Sequence, residues 1–176
     1  MEGSTGNLHD FPINPANTDP IYWGDLVNFN GGYVEEATGA ANNNDFDILG
    51  VFQGCKYVEA GGSFRFARMW NGQVGATQIM AQIALPAGAT FLIRGTDGQT
   101  YTAADIGRRK GVVYAAGVPA TGQSRVTLGA AGATVATGPL RVLGQVDLPD
   151  GIPDASLAPW FEVAIIRSVL GTAAAA

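Results

Sequence analysis

The stretch Asp47-Ile48-Leu49-Gly50-Val51-Phe52-Gln53-Gly54-Cys55-Lys56-Tyr57-Val58 decides the fold class, together with Phe64-Arg65-Phe66-Ala67-Arg68-Met69-Trp70 just beyond it. Both runs are rich in β-branched and aromatic residues. Glu59-Ala60-Gly61-Gly62-Ser63 separates them, a glycine-bearing turn of hairpin length. Alternation along the second run sets Phe64, Phe66 and Arg68 on one face and Arg65 and Ala67 on the other. No catalytic constellation accompanies either strand.

Further short strands follow the same pattern on both sides of this hairpin. Leu26-Val27-Asn28-Phe29 and Tyr33-Val34-Glu35-Glu36 flank Asn30-Gly31-Gly32, a strong turn signal. Gln78 to Leu85 places Ile79, Ala81, Ile83 and Leu85 on one face before Pro86 stops it. Strand patterns recur at Thr90–Arg94, Val112–Tyr114, Arg125–Leu128, Leu140–Val146 and Phe161–Val169. The helical signal is confined to Thr102–Gly107, where Thr102 can cap, Asp105 sits three residues on and Gly107 can terminate. Glycine inside the strand patterns Ile48-Leu49-Gly50-Val51 and Val142-Leu143-Gly144-Gln145 marks a bulge or a close backbone approach.

This reading predicts a mainly β protein, a compact barrel or sandwich with at most one or two short helical turns. Residues 1–20, with three prolines and many Gly, Asn, Asp and Thr, read as an extended N-terminal arm. Residues 21–176 read as a single β-rich domain, with two small subdomains also compatible with the length. Within the arm, Phe11-Pro12-Ile13 is an apolar anchor, either a pin onto its own domain or a strap across a neighbouring subunit.

Composition narrows the function. The chain has 176 residues, 25 glycines and only 14% charged residues, against about 25% in ordinary globular domains. A weakly charged surface suits a protein packed against neighbours. The net charge is −5, and a nucleic-acid binder would show a basic stripe. The nearest approach is Arg108-Arg109-Lys110, which reads as a solvated turn or an ion-pairing site. Neither nucleic acid nor a membrane is therefore an expected partner.

Cys55 is the sole cysteine, which rules out an intrachain disulfide, and its apolar neighbours make it a core thiol. His9, the sole histidine, lies in the arm. A Ser-His-Asp triad or histidine-rich metal site would have to be built on it alone. Glu35 and Glu36 alternate across a strand and point to opposite faces. Asp147, Asp150 and Asp154 sit in a proline-rich turn without the spacing of a calcium loop, and read as turn-capping residues. No catalytic, cofactor or metal site is expected, and the chain does not read as an enzyme. Trp23, Trp70 and Trp160 lie at strand edges, where core packing is the default and an interface anchor the functional alternative.

Taken in order, several blocks resemble the capsid decoration, or structural cement, proteins of tailed bacteriophages. The blocks are Phe11-Pro12-Ile13, Ile21-Tyr22-Trp23-Gly24-Asp25-Leu26-Val27, Ile48 to Tyr57, Met69-Trp70, Asp105-Ile106-Gly107, Thr121-Gly122-Gln123-Ser124, Leu140 to Asp150 and Trp160-Phe161-Glu162-Val163. The resemblance spans about Phe11 to Leu170; the residues before Phe11 depart from it, as does Asn71-Gly72 after Trp70. It implies a non-enzymatic β protein on the outer surface of the mature head, made in the bacterial cytoplasm. Its implied partners are the major capsid protein and two further copies of itself, over threefold and quasi-threefold capsomer junctions. Capsid or subunit contacts are then expected at Phe11, Pro12, Ile13, Trp23, Arg65, Arg68 and Trp70. Other readings are a head-completion or tail component, a ligand-binding or enzymatic barrel, and a carbohydrate-binding β-module.

Overall fold

The computed structural model describes residues 8–37, 47–130, 138–146 and 158–170. Within them the chain is mainly β, with twelve strands and a single 3-10 turn. The described residues divide into two compact units. Of these, the first draws on residues 8–37, 48–87 and 116–125, the second on residues 47, 88–115, 126–130, 138–146 and 158–170.

The first unit is a six-stranded antiparallel sheet. Its strands are β1 (Leu8–Pro12), β2 (Leu26–Asn30), β3 (Tyr33–Glu36), β4 (Gly50–Val58), β5 (Phe64–Ala67) and β6 (Thr77–Ala84), laid out β1-β6-β4-β2-β3. β5 pairs with the second half of β4, beyond the part that pairs with β2. The hairpin expected from the sequence is therefore present, closed by the Glu59 N–H on the Ser63 carbonyl at 2.9 Å. Strands pair with both edges of β4, and all of its residues are buried or half-buried. Gly50 can sit there only without a side chain: a Cβ would lie 2.3 Å from the Ala84 carbonyl oxygen.

The sheet curls until Ile13, one residue past β1, bridges Val34 of β3. One bridge joins these edges, so of the two expected forms, barrel or sandwich, a closed barrel is not formed and the chain is built of several antiparallel sheets. Inside the curl lie Ile13, Ile21, Val27, Val34, Leu49, Phe52, Cys55, Tyr57, Trp70, Ile79, Ala81 and Ile83, all buried. The alternation read in Gln78–Leu85 supplies three of them, while Met80 and Gln82 lie on the opposite face, half-exposed.

The N-terminal segment takes part in this core. β1 pairs with β6 from Leu8↔Ala84 to Pro12↔Met80, and the Ile13 N–H continues the ladder to the Ile79 carbonyl at 3.1 Å. An Asn14-Pro15-Ala16-Asn17 turn follows, closed by Asn17 N–H on the Asn14 carbonyl at 2.8 Å. From Leu8 onward the extended stretch thus belongs to the first unit, because the edge of β6 away from β4 is open to pair with it and Ile13 is buried beyond it.

The second unit holds an antiparallel sheet in the order β7 (Phe91–Arg94), β12 (Trp160–Ile165), β11 (Leu140–Val146), β8 (Arg109–Lys110), and a two-stranded pair of β9 (Val112–Val113) and β10 (Thr127–Leu128). Phe161, Val163, Leu140, Val142 and Leu128 are buried within it. The register slips between Val142 and Gly144, so this strand glycine marks a bulge, whereas Gly50 marks a close approach. The 3-10 turn, Ala103–Asp105, occupies the predicted helical segment, with the Thr102 N–H bonded to Asp105 Oδ2 at 2.9 Å. The polar loop Asn42–Asp45 and the aspartates Asp147, Asp150 and Asp154 lie outside the described residues.

Candidate interface on the first unit

β5 exposes its apolar side chains. Phe64 and Phe66 are 55% and 70% exposed, and pack edge-to-face with ring centroids 4.9 Å apart. Opposite them on β4 stand Val58 and Lys56, half-exposed on the same face. The strand's charges are locally balanced: Arg65 Nε donates to Glu59 Oε1 at 3.0 Å, and Lys56 pairs with Asp10. Among the described strands none pairs with the outer edge of β5. An aromatic pair on an edge strand without proline is the kind of edge that proteins otherwise blunt or cover.

A second patch joins Trp23 and Arg68. The Arg68 guanidinium stands 5.0 Å from the Trp23 ring centroid, a cation–π distance. Trp23 Nε1 donates to Gln53 Oε1 at 3.1 Å, and its backbone is held between Gly122 and Ser124. Arg68 is exposed and Trp23 half-buried, so one face of the unit carries an aromatic–arginine pair.

The seven residues singled out from the sequence divide accordingly. Trp23 and Arg68 come together, and Arg65 is exposed on β5. Pro12 is exposed on β1. Phe11 turns inward, edge-to-face on Phe29 at 5.3 Å, and Ile13 is buried, so this anchor pins its own unit. Trp70 is wholly buried: its Nε1 donates to the Asn17 carbonyl at 3.0 Å and its ring meets Tyr57 edge-on at 5.5 Å. Neither Ile13 nor Trp70 presents a side chain to a partner. In both cases alternation within a paired strand or bridge turns the side chain toward the core.

Phe64 and Phe66 are the residues that the sequence-based selection passed over. Their shared face was readable from alternation, but that no described strand pairs with the outer edge of β5 was not. Val74, 92% exposed in the loop before β6, carried no signal at all.

Burial shifts titratable groups of this unit. The Cys55 thiol is buried, donates to the Met69 carbonyl at 3.5 Å, and is pushed up to about 12 by burial. Glu36 is raised to about 7, first by burial and then by the charges of Asp25 and Asp19. Asp25 is itself raised by burial, opposed by hydrogen bonds from Ser124 and from the Tyr22 N–H, the latter at 2.7 Å. No group of three or more His, Cys, Asp and Glu side chains among the described residues is placed to hold a metal ion. In the second unit Lys110 of the Arg108-Arg109-Lys110 run is an ion-pairing residue: Nζ bonds Asp105 Oδ1 at 2.7 Å with both side chains buried.

No family model matches this chain, and neither the curated proteins nor the solved structures hold a match.

Proposed function

We propose that the chain is a decoration protein that binds the outer surface of a tailed-phage head, associates as a trimer over capsomer junctions and holds the shell against the pressure of packed DNA. The resemblance along Phe11–Leu170 supports this reading, as does a surface with few charges. The observation that carries it furthest is the uncovered β5 strand, with Phe64 and Phe66 exposed beside the Trp23–Arg68 pair. Aromatic and arginine side chains dominate the energetics of protein interfaces.

The physical logic is one of linkage. A protein that binds the intact junction and not its separated parts stabilises the assembled shell by mass action. When three copies engage together, each further contact is intramolecular, and avidity exceeds a single contact by roughly 10²–10⁴. Small patches such as β5 and Trp23–Arg68 then suffice.

The test is cosedimentation of the purified protein with cognate heads stripped of it. Saturation at a multiple of three copies per junction, with heads more resistant to heat, is the expected result. Absence of binding to heads overturns the proposal, and saturation near a dozen copies per particle would assign it to a connector instead.

A further inference from the structure

Where the edges of the six-stranded sheet meet, the Ile13–Val34 bridge leaves an open hollow of about 200 Å³. Asn14, Asn17, Asn30, Tyr33 and Glu35 line it, over Val34. Two tight turns build it. One is the proline turn Asn14–Asn17; the other is the β2–β3 hairpin, whose Gly31 and Gly32 both have positive φ, 58° and 88°, as a two-residue turn of the I′ kind requires. The walls are therefore set by the backbone before any ligand arrives.

The polar groups are oriented in the same way. Asn14 Oδ1 accepts the Ala16 N–H at 2.9 Å, and Asn17 Oδ1 accepts the Asp19 N–H at 2.8 Å. Each amide thus has its oxygen engaged and its Nδ2 group left to donate. Asn30 Nδ2 donates to Glu35 Oε2 at 2.9 Å, which leaves Glu35 Oε1 as an acceptor. Tyr33, 39% exposed, adds one aromatic ring with a hydroxyl at its tip.

We infer that this hollow is a binding site for one ring of a neutral saccharide. Vicinal hydroxyls both donate and accept, and they match fixed amide donors beside a carboxylate acceptor. Tyr33, which lines the hollow and is partly exposed, supplies an aromatic ring against which the apolar side of a pyranose can pack. The volume lies below the usual range of roughly 300–1,000 Å³ for drug-sized ligands and suits a single ring. Anionic ligands are disfavoured, because Glu35 lines the hollow and the chain carries a net charge of −5. This site is separate from β5 and does not rest on binding to heads.

The experiment is saturation-transfer NMR and calorimetry on the full chain with methyl glucoside, methyl galactoside, methyl mannoside, rhamnose and N-acetylglucosamine. N-acetylneuraminic acid and glycerol phosphate serve as anionic probes. Binding of at least one neutral sugar is expected, weakened about tenfold by Tyr33→Ala and by Asn14→Ala, the loss of one contact's worth of affinity. Circular dichroism confirms that both variants remain folded; if one does not, Tyr33→Leu and Asn14→Asp replace them. No binding by any neutral sugar overturns the inference. So does binding only of the anions, or sugar binding that ignores both substitutions.

Discussion

The backbones of Ile21 and Trp70 are joined by two reciprocal hydrogen bonds, each 2.9 Å from N to O, and both side chains are fully buried. This short bridge ties the N-terminal segment to the residue that ends the β4–β5 hairpin region, 49 positions later in the chain. Trp70 also holds the Asn17 carbonyl. A segment with the composition of a loose tail is thereby fixed along most of its described length.

Removing residues 8–20 should therefore abolish the cooperative thermal transition of the first unit, since it strips β1 from β6 and takes Ile13 out of the core. Trp70→Ala should cost about 3–5 kcal/mol, in the range for large aromatic truncations in cores. Urea denaturation followed by tryptophan fluorescence and circular dichroism measures both. A deletion protein that melts like the parent would show that the segment only lies on a self-sufficient unit.

Substituting the exposed pair has the opposite profile. Phe64→Ser with Phe66→Ser should leave stability within about 1 kcal/mol, because each ring is more than half exposed. If β5 meets the capsid or another copy, the same double substitution should lower affinity at least tenfold, as loss of a hot-spot residue does. Cosedimentation with stripped heads and analytical ultracentrifugation read the two contacts separately.

Glu36 sets a pH dependence. Its folded value of about 7 lies above its ordinary 4.5, owing to burial and then to Asp25 and Asp19. A carboxyl raised in this way favours the protonated folded state, so its contribution is fully present below about 4.5 and is lost as pH rises through about 7. Stability should fall across that window and level off above it. Glu36→Gln should flatten the slope and raise stability at pH 8 by about 1–2 kcal/mol, less than the full shift implies because the group is only half-buried. Chemical denaturation at pH 5, 6, 7 and 8 measures it; parallel slopes in parent and variant would count against this assignment.

The Lys110–Asp105 pair makes the second unit intolerant of single changes. Lys110→Met alone takes the Nζ contact away from the buried Asp105 carboxylate, at a cost of about 3–5 kcal/mol. Changing both residues to apolar ones of similar size should recover a large part of that loss. A double-mutant cycle by thermal denaturation gives the coupling, and additive costs would show that the two side chains act independently.

The chain's local patterns reach a long way. Alternation in Gln78–Leu85, the Asn30-Gly31-Gly32 turn and the β4–β5 spacing fixed strand positions and the facing of Ile79, Ala81 and Ile83, because a pleated strand repeats every two residues whatever surrounds it. The capping pattern at Thr102–Asp105 located the 3-10 turn found among the described residues, for the same local reason. Trp23, Arg65 and Arg68 could be marked as surface candidates from residue type and strand position.

Partnership across the sequence was not legible. That β6 has an edge open to Leu8–Pro12, that Trp70 faces inward against Ile21, and that no described strand pairs with the outer edge of β5 are facts about which distant strands pair. Each depends on the free energy of whole-sheet packing, to which any single window contributes only a share. The same holds for the hollow between Asn14 and Tyr33: both turns are written locally, but only the curl of the sheet brings them face to face.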